Sequence, residues 1–361
     1  MKFCVVSHGG SHAFQEVNSR ISPPWRAISW RVFTLEKLGR FRGKAAWVIE
    51  EIVNFVRLIL APSLYGIDTM MLADSHYASV LAFGKWLALL GLPKRIYIIN
   101  IFLHESQGNR RLQTMLKFLL GQDVGIMAFS VSDREYFKNL NTRVNARNVP
   151  WCFEEEIGIV QSDIQNGEYI FAGGYSNRDY DLLIRCARKF PNQRFEIAAS
   201  KRNSVIGELP PNVHLSIDIS QKEFHVLLAG CKVNVIPLKS DVGSSGQMVA
   251  IAAMRLAKAT VYPDFAMIGQ YFQNEKDGLM YRPGDVDSLA SALRRLLDNP
   301  DLRAEMGRQA RRSWETKFNG DVFKRAIFEH MADFMGVTWK EIEGPCSGAA
   351  RDPSFPKERN I

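Results

Sequence analysis

The sequence predicts an α/β protein with two domains, each a doubly wound parallel sheet covered by helices. The chain has 361 residues, enough for two separate cores. Short runs that are apolar almost throughout alternate with segments of helical periodicity, as in parallel sheets buried on both faces. A polar, acidic segment containing Pro150 interrupts this alternation at 148–168. We expect domains at 1–155 and 156–342, then a disordered tail at 343–361 that has little to bury.

The apolar runs define the expected strands. They lie at 2–8, 68–74, 95–101 and 124–130 in the first domain, and at 167–174, 194–200, 233–238 and 258–263 in the second. Near the C-terminus, residues 285–318 have the pattern of two helices separated at Asn299-Pro300. A third helix is expected from Asp321 to Met335.

Composition narrows the class of protein. Hydrophobic residues make up 46% and charged residues 23%, and no long apolar window without charges suggests a membrane-spanning helix. The start, MKFCVVSHGG, predicts a first strand rather than a signal peptide. Five scattered cysteines without a C-x-x-C pair favour reduced thiols in a cytoplasm-like compartment and argue against structural zinc. The net charge of +8 favours anionic partners.

The segment DVGSSGQMVAIAAM, Asp241 to Met254, predicts an anion-binding site. It follows an expected strand and begins a helix, at the sheet edge where ligands bind in open α/β sheets. Free N–H groups and the helix dipole attract a phosphate or diphosphate, and glycines allow its close approach. A helix capped by a serine, without a ligand, is the alternative. The residues expected to bind the anion are Gly243, Ser244, Ser245, Gly246 and Gln247.

Residues 246–295 resemble the donor-binding half of GT-B glycosyltransferases, especially the large retaining family four. The chain has AAMRLAKATV where that family has EAMA.GKPVV, and KDGLMYRPGDVDSLASALRRLL matches the segment that follows. The similarity extends back through NVHLSIDISQKEFHVLLAGCKVNVIPL and covers nearly all of 168–316. The resemblance implies two Rossmann-like domains facing a cleft and a nucleotide-diphosphate sugar, with UDP or GDP, as donor substrate.

The resemblance also implies roles for single residues. On the donor side, Arg178 matches the basic residue of the family's GR....KG motif, Lys201 and Lys239 follow strands and help to neutralise phosphate, and the backbone around Ile219 recognises the base. In the first domain, SHGGSH places Gly10 in the glycine-rich first loop, and INIFLHESQG places His104 at the histidine position that faces the transferred sugar. Glu105 or Asp74 is a candidate base if the enzyme inverts.

One departure from the family concerns its two glutamates, eight positions apart, which hold the sugar and a ribose hydroxyl. The aligned residues here are Ser244 and Ala252. Ser244 can still bond a hydroxyl, whereas Ala252 cannot. The alternative to an active enzyme is therefore a catalytically inactive binding or assembly subunit with the same fold. The sequence also does not decide whether the reaction retains or inverts the anomeric configuration.

The sequence gives less support to a metal-dependent reaction or to an NAD-dependent one. Asp218 and Asp241 stand alone and form no D-x-D element, so we expect neither a catalytic metal ion nor a cofactor. An NAD-dependent oxidoreductase is disfavoured because no G-x-G-x-x-G follows a strand. The helix N-terminus and one or two cations are expected to stabilise the leaving diphosphate.

A basic, aromatic segment lies at 25–44, with six Lys or Arg against one Glu and four interleaved aromatic residues. This composition suits contact with an anionic membrane surface, and a glycan or polyprenyl-linked acceptor fits that location. The amphipathic helix expected after it is more typical of one packed on its own sheet. Nucleic acid is not an expected partner, because there is no recognition helix, zinc finger or RNP-type pattern.

Overall fold

The computed structural model describes residues 2–7, 26–31, 53, 69–72, 95–99, 110–152, 167–203, 208–241 and 245–338. Contacts divide the chain into two units, Met1–Val149 with Arg325–Asn360, and Pro150–Lys324 with Ile361. Each unit contains a six-stranded sheet whose neighbouring strands are parallel. The predicted α/β class is therefore confirmed. The boundary expected near residue 155 and the tail at 343–361 lie outside the described residues and stay predictions.

The sheet of the first unit has the order β2-β1-β3-β4-β5-β6. Its strands are β1 Lys2–Ser7, β2 Arg26–Arg31, β3 Thr69–Leu72, β4 Arg95–Ile99, β5 Val124–Ala128 and β6 Asn145–Asn148, and its helices include α1 Arg110–Leu119 and α2 Val131–Leu140. All four strands expected here are present. The two that the periodicity missed, β2 and β6, are the edge strands. Their sequences, RAISWR and NARN, lack the apolar runs of a central strand.

The sheet of the second unit has the order β12-β11-β10-β7-β8-β9. Its strands are β7 Tyr169–Gly173, β8 Arg194–Ala199, β9 Val213–Ile217, β10 Val233–Val235, β11 Thr260–Pro263 and β12 Leu279–Tyr281. Its helices are α3 Tyr180–Ala187, α4 Gln221–Gly230, α5 Gln247–Arg255, α6 Ala266–Gly269, α7 Val286–Asp298 and α8 Pro300–Lys317, with a 3₁₀ turn at Lys201–Asn203. The central strands are buried along their whole length, as expected when helices cover both faces.

The last helices follow their local signals. Asp285 caps α7 by accepting a hydrogen bond from the N–H of Ser288 at 2.9 Å, and the buried residues of α7 recur at helical spacing. Helix α7 ends at Asp298, and Pro300 begins α8, where its missing N–H leaves no bond unmade. The separation predicted at Asn299-Pro300 is thus confirmed.

The final described helix, α9 Gly320–Met335, belongs to the first unit from Arg325 onward, rather than wholly to a C-terminal domain. Phe334 lies against Gly125 of β5, where an added Cβ would approach its ring to 3.0 Å. His330 shares a hydrogen bond of 2.9 Å with the hydroxyl of Tyr97 on β4. Glycine at 125 therefore lets the helix pack closely on the sheet.

Among the helices that the structure describes, we find none with the length and apolar character needed to cross a bilayer. Of the basic segment 25–44, Arg26–Arg31 forms edge strand β2, paired in parallel with β1. The rest of that segment, and the amphipathic helix expected after it, lie outside the described ranges.

Candidate functional site

The candidate site lies at the carboxyl ends of four neighbouring strands of the second unit, β10, β7, β8 and β9. Ligands of open α/β sheets bind at this edge. Three helices begin here: α3 after β7, α4 after β9 and α5 after β10. The 3₁₀ turn follows β8.

The loop after β7 is built on two glycines that admit no side chain. A Cβ at Gly173 would overlap the ring of Phe224 on α4. Gly174 has a φ of +141°, and a Cβ there would overlap the guanidinium of Arg178. The hydroxyl of Tyr180 donates to the carbonyl of Gly174 at 2.8 Å. The loop is therefore held in one conformation, with glycine backbone directly against a cation.

Arg178 is a buried cation, with 4% of its surface exposed. Its Nε donates to the carbonyl of Gly173 at 3.0 Å and its Nη1 to that of Ser176 at 2.7 Å. Burial lowers the pKa of this guanidinium, yet arginine stays charged in proteins. No carboxylate of the described residues forms an ion pair with it. Within the described part of the chain its positive charge is thus not balanced by a carboxylate, and a bound anion would offset the cost of burying it.

Asn177 joins this loop to the one after β10. Its side-chain N–H donates to the carbonyl of Ser240 at 2.9 Å, and the Ser240 hydroxyl donates back to its Oδ1 at 3.0 Å. The backbone N–H of Lys239 donates to its carbonyl at 3.2 Å. A neighbouring bridge pairs Arg178 with Leu238. These bonds hold the two loops together. The Lys239 side chain makes none of them and is exposed at the sheet edge.

Helix α5 begins at Gly246, the residue at the centre of the predicted anion site. Gly246 has a φ of +86°, a left-handed conformation that favours glycine. An added Cβ would lie 3.0 Å from Ile236 and 3.4 Å from Leu238, so the helix starts in close contact with the end of β10. As the N-cap, Gly246 has no side chain that can accept hydrogen bonds from the first turn.

The other two helices at this edge have side-chain caps. Asp179 caps α3 by accepting from the N–H of Leu182 at 3.0 Å. Ser220 and Glu223 form a reciprocal capping box on α4, and the hydrogen bonds from Ser220 lower the pKa of the Glu223 carboxyl. Among the helices that begin at these strand ends, α5 is the one whose first turn lacks an N-cap side chain.

The loops after β8 and β9 approach each other through Lys201 and Asp218. The Lys201 side chain is 84% exposed, and its Nζ lies 3.6 Å from a carboxylate oxygen of Asp218. Asp218 has a φ of 51° and donates its N–H to Ala199 at 2.9 Å, which fixes the turn. Ile219 follows, half-buried.

The structure brings seven of the residues singled out from the sequence to this edge: Arg178, Lys201, Ile219, Lys239, Ser245, Gly246 and Gln247. Their roles toward a ligand stay predictions. Gly10, His104, Glu105, Gly243 and Ser244 lie outside the described residues. No group of three potential metal ligands occurs among the residues that the structure describes.

Sequence reasoning missed two contributors to the site. Asp241 accepts from the N–H groups of Ala266 and Met267, at 3.0 and 2.9 Å, and so ties the end of the β10 loop to α6. Tyr175 is 52% exposed, with its carbonyl held by the Ser200 hydroxyl at 2.8 Å. No local pattern predicts a cap that lies 25 residues away along the chain.

Comparisons with known proteins agree with this architecture. The family described as glycosyl transferases group 1 matches residues 178–313. No curated protein sequence matches the chain. Sucrose-phosphate synthase from Thermosynechococcus elongatus superposes with a TM-score of 0.67 at 14% identity, over 93% of this chain and 99% of that one.

Other solved structures show the same fold. HepE of Anabaena, in complex with UDP and glucose, superposes with a TM-score of 0.65 at 13% identity, over 92% of this chain and 100% of that one. The apo structure of OtsA gives a TM-score of 0.59 at 14% identity, over 92% and 99% of the two chains. The chain therefore has the GT-B fold of glycosyltransferases, and its residues 178–313 match the glycosyl transferases group 1 family.

Proposed function

We propose that the protein is a glycosyltransferase that moves a hexose from a nucleotide-diphosphate sugar to a glycan or lipid-linked glycan. The observation that carries this proposal is the start of α5. Its N-cap is a glycine, whereas the two other helices at the same edge are capped by their own side chains. A helix whose N-cap residue has no side chain leaves room for an anion at its start, where the helix dipole favours a diphosphate.

The charges around α5 favour the same ligand. Arg178, whose guanidinium is buried, forms a backbone bridge with Leu238, and the Leu238 side chain lies against Gly246 at the helix start. Exposed Lys239 follows in the same loop. These groups stabilise negative charge where it develops on the leaving diphosphate, and the proposed reaction uses no metal ion or other cofactor.

In the proposed reaction the bond between the anomeric carbon and the diphosphate oxygen breaks, and its electron pair stays on the diphosphate. The acceptor hydroxyl oxygen forms the new bond to that carbon. The acceptor proton passes to a base, for which His104 and Glu105 are our candidates. Gly10, in the glycine-rich stretch after β1, is our candidate for a further donor contact.

The donor contacts differ from the usual pair of carboxylates. Ala252 is 8% exposed on α5 and offers no polar group, so the ribose hydroxyls need other partners. We assign sugar and ribose contacts to Ser244, Ser245, Gln247 and the backbone near Ile219. UDP is our first choice of nucleotide, because HepE was solved with UDP and with UDP-glucose, and TarM with UDP. GDP is the second.

We also propose that the enzyme works in polysaccharide biosynthesis, at the cytoplasmic face of a membrane, with segment 25–44 in contact with anionic lipid. The composition of that segment and the net charge of +8 support this location. The three described cysteines, Cys152, Cys186 and Cys231, are free, as expected in a reducing compartment.

Calorimetric titration with UDP, GDP, ADP and NAD tests the binding step. We expect UDP or GDP to bind and NAD not to bind. Lys239→Ala should weaken nucleotide binding about fivefold, the effect of one exposed charge contact worth about 1 kcal/mol. Lys276→Ala, an exposed lysine in the loop before β12, is the matched control and should bind as the wild type does. Absence of binding by every nucleoside diphosphate overturns the proposal.

Incubation with UDP-glucose, UDP-N-acetylglucosamine and GDP-mannose tests the transfer step. Slow release of UDP or GDP in the absence of acceptor is expected, since water replaces the acceptor hydroxyl. Tight binding without any release, with or without lipid-linked glycan, would show a binding subunit and overturn the proposed transfer.

A further inference from the structure

A strongly exposed aromatic side chain lies on a helix of the first unit. Phe118 of α1 is 86% exposed, the highest value among the large hydrophobic residues that the structure describes. Leu116 and Leu120, on the opposite side of the helix, are buried. The helix thus packs through one face and presents a phenylalanine on the other.

The exposed face of α1 is cationic. Arg110, Thr114 and Lys117 are exposed at helical spacing with Phe118, so the four residues share one face. The face formed by these four residues combines two cations, a hydroxyl and an aromatic ring. A phenylalanine between cations has the composition of a membrane-interface helix rather than of a solvated surface.

Helix α2 adds further cations beside this face. Asn141, directly after α2, donates to the carbonyls of Lys117 and Leu120, which joins the C-terminal ends of the two helices. The backbone N–H of Arg143 donates to the side chain of Asn141 at 3.0 Å. Arg143 is exposed, as is Lys138, one turn before Asn141.

Among the described residues of α1, α2 and the loops next to them, carboxylates do not balance this charge. Glu135 of α2 is paired with Arg134 at 2.6 Å. Asp123, three residues after Leu120, is partly buried, and Asp133 is buried. Four exposed cations therefore lie on α1, on α2 and directly after α2, and give this part of the unit a net positive charge: Arg110, Lys117, Lys138 and Arg143.

We infer that this surface docks on an anionic lipid bilayer, with Phe118 inserted among the headgroups and the four cations over them. Positive charge complements anionic lipid, and the exposed ring gains from leaving water at the interface. The inference concerns the binding of this chain to lipid and is independent of the proposed transfer reaction. It also rests on different residues from segment 25–44.

Co-sedimentation of the full chain with vesicles tests it. We expect binding to vesicles of equal parts phosphatidylglycerol and phosphatidylcholine and none to phosphatidylcholine alone. The double variant Lys117→Glu/Arg143→Glu should reduce binding at least fivefold, since one cation near an anionic surface is worth about a factor of five. Phe118→Ser should also reduce binding at least fivefold, because the variant has no aromatic ring to transfer from water to the interface. Phe118→Trp should retain binding, because tryptophan also favours the interface.

The matched controls are on the second unit. Met280→Ser removes a hydrophobic side chain that is 39% exposed, and Lys276→Glu/Lys317→Glu reverses two exposed charges. Both should bind vesicles as the wild type does. Unchanged thermal unfolding of Phe118→Ser would show that the fold is intact. Failure of the wild type to bind anionic vesicles, or undiminished binding by both Phe118→Ser and Lys117→Glu/Arg143→Glu, overturns the inference.

Discussion

The carboxylate of Asp241 accepts a hydrogen bond of 2.9 Å from the backbone N–H of Met267, 26 residues further along the chain. Its second oxygen accepts from Ala266 at 3.0 Å. Asp241 directly precedes the stretch that leads to α5, so these two bonds fix where that stretch starts. The proposed diphosphate site therefore depends on a contact between the loops after β10 and β11.

Asp241→Ala should lower the free energy of unfolding by about 1–2 kcal/mol, the usual cost of losing a helix cap. It should also weaken UDP binding severalfold, because the approach to α5 loses its anchor. Asp285→Ala removes the cap of α7 and serves as control: a similar loss of stability is expected, with unchanged affinity for UDP. Urea unfolding and calorimetry measure both quantities. Equal UDP affinity in the two variants would contradict this role of Asp241.

Gly246→Ala tests the start of α5. The variant must hold a left-handed φ and bring a Cβ to 3.0 Å from Ile236, so we expect a loss above the roughly 1 kcal/mol of left-handed strain alone. Gly284→Ala is matched in conformation, with a φ of +74°, but an added Cβ there meets nothing within 4 Å. Only the variant at 246 should weaken UDP binding. Similar stabilities for the two variants would show that the contact with Ile236 is unimportant.

Ala257→Gly should stabilise the protein by about 0.5–1 kcal/mol. Ala257 follows the C-terminal end of α5 with a φ of 53°, a conformation that glycine adopts without strain. Ala253→Gly, in the buried middle of the same helix, should destabilise it by about 1 kcal/mol or more. Thermal unfolding distinguishes the two signs. A destabilised Ala257→Gly variant would contradict the strain.

His330 predicts how stability depends on pH. Burial lowers its pKa from 6.5 to about 4, and nearby Arg147 acts in the same direction while Asp333 opposes it. The folded state thus keeps the ring neutral over a range where the unfolded chain takes up a proton. Stability should be unaffected by this group above pH 6.5 and fall as the pH decreases from 6.5 to about 4.

The loss should reach about 3 kcal/mol at most over this window. Hydrogen exchange of α9 amides as a function of pH is the direct measurement, because His330 bonds this helix to Tyr97. His330→Gln cannot titrate, so its pH dependence should be flatter by the same amount. A wild type and variant with parallel profiles would show that the histidine does not control the docking of α9.

Much of the fold was predictable because its signals are local. Central strands such as β5 and β7 are apolar along their whole length, and Asn299-Pro300 separates two helices by backbone chemistry alone. The edge strands β2 and β6 were not predictable in this way. An edge strand has a neighbouring strand on one side only, so it carries more polar residues and lacks the continuous apolar run of a central strand.

The candidate site also has one part that was predictable from the sequence and one part that was not. The glycines and small residues before α5 predict an anion site from sequence alone, because the amides expected to bind the anion belong to contiguous residues. The burial of Arg178 was not predictable, since its environment comes from Gly174, Tyr180 and the loop after β10. An arginine before a helix looks the same in sequence whether it is exposed or enclosed.

By itself, then, the sequence determined the alternation of strands and helices and the loop where α5 begins, because hydrophobic periodicity, glycine and proline act over a few residues. The tertiary structure alone decided that α9 completes the first unit, that Asp241 ties the loop after β10 to α6, and that Arg178 is enclosed. Each of these depends on contacts between residues far apart in the chain, and such contacts leave no pattern in any short stretch of it.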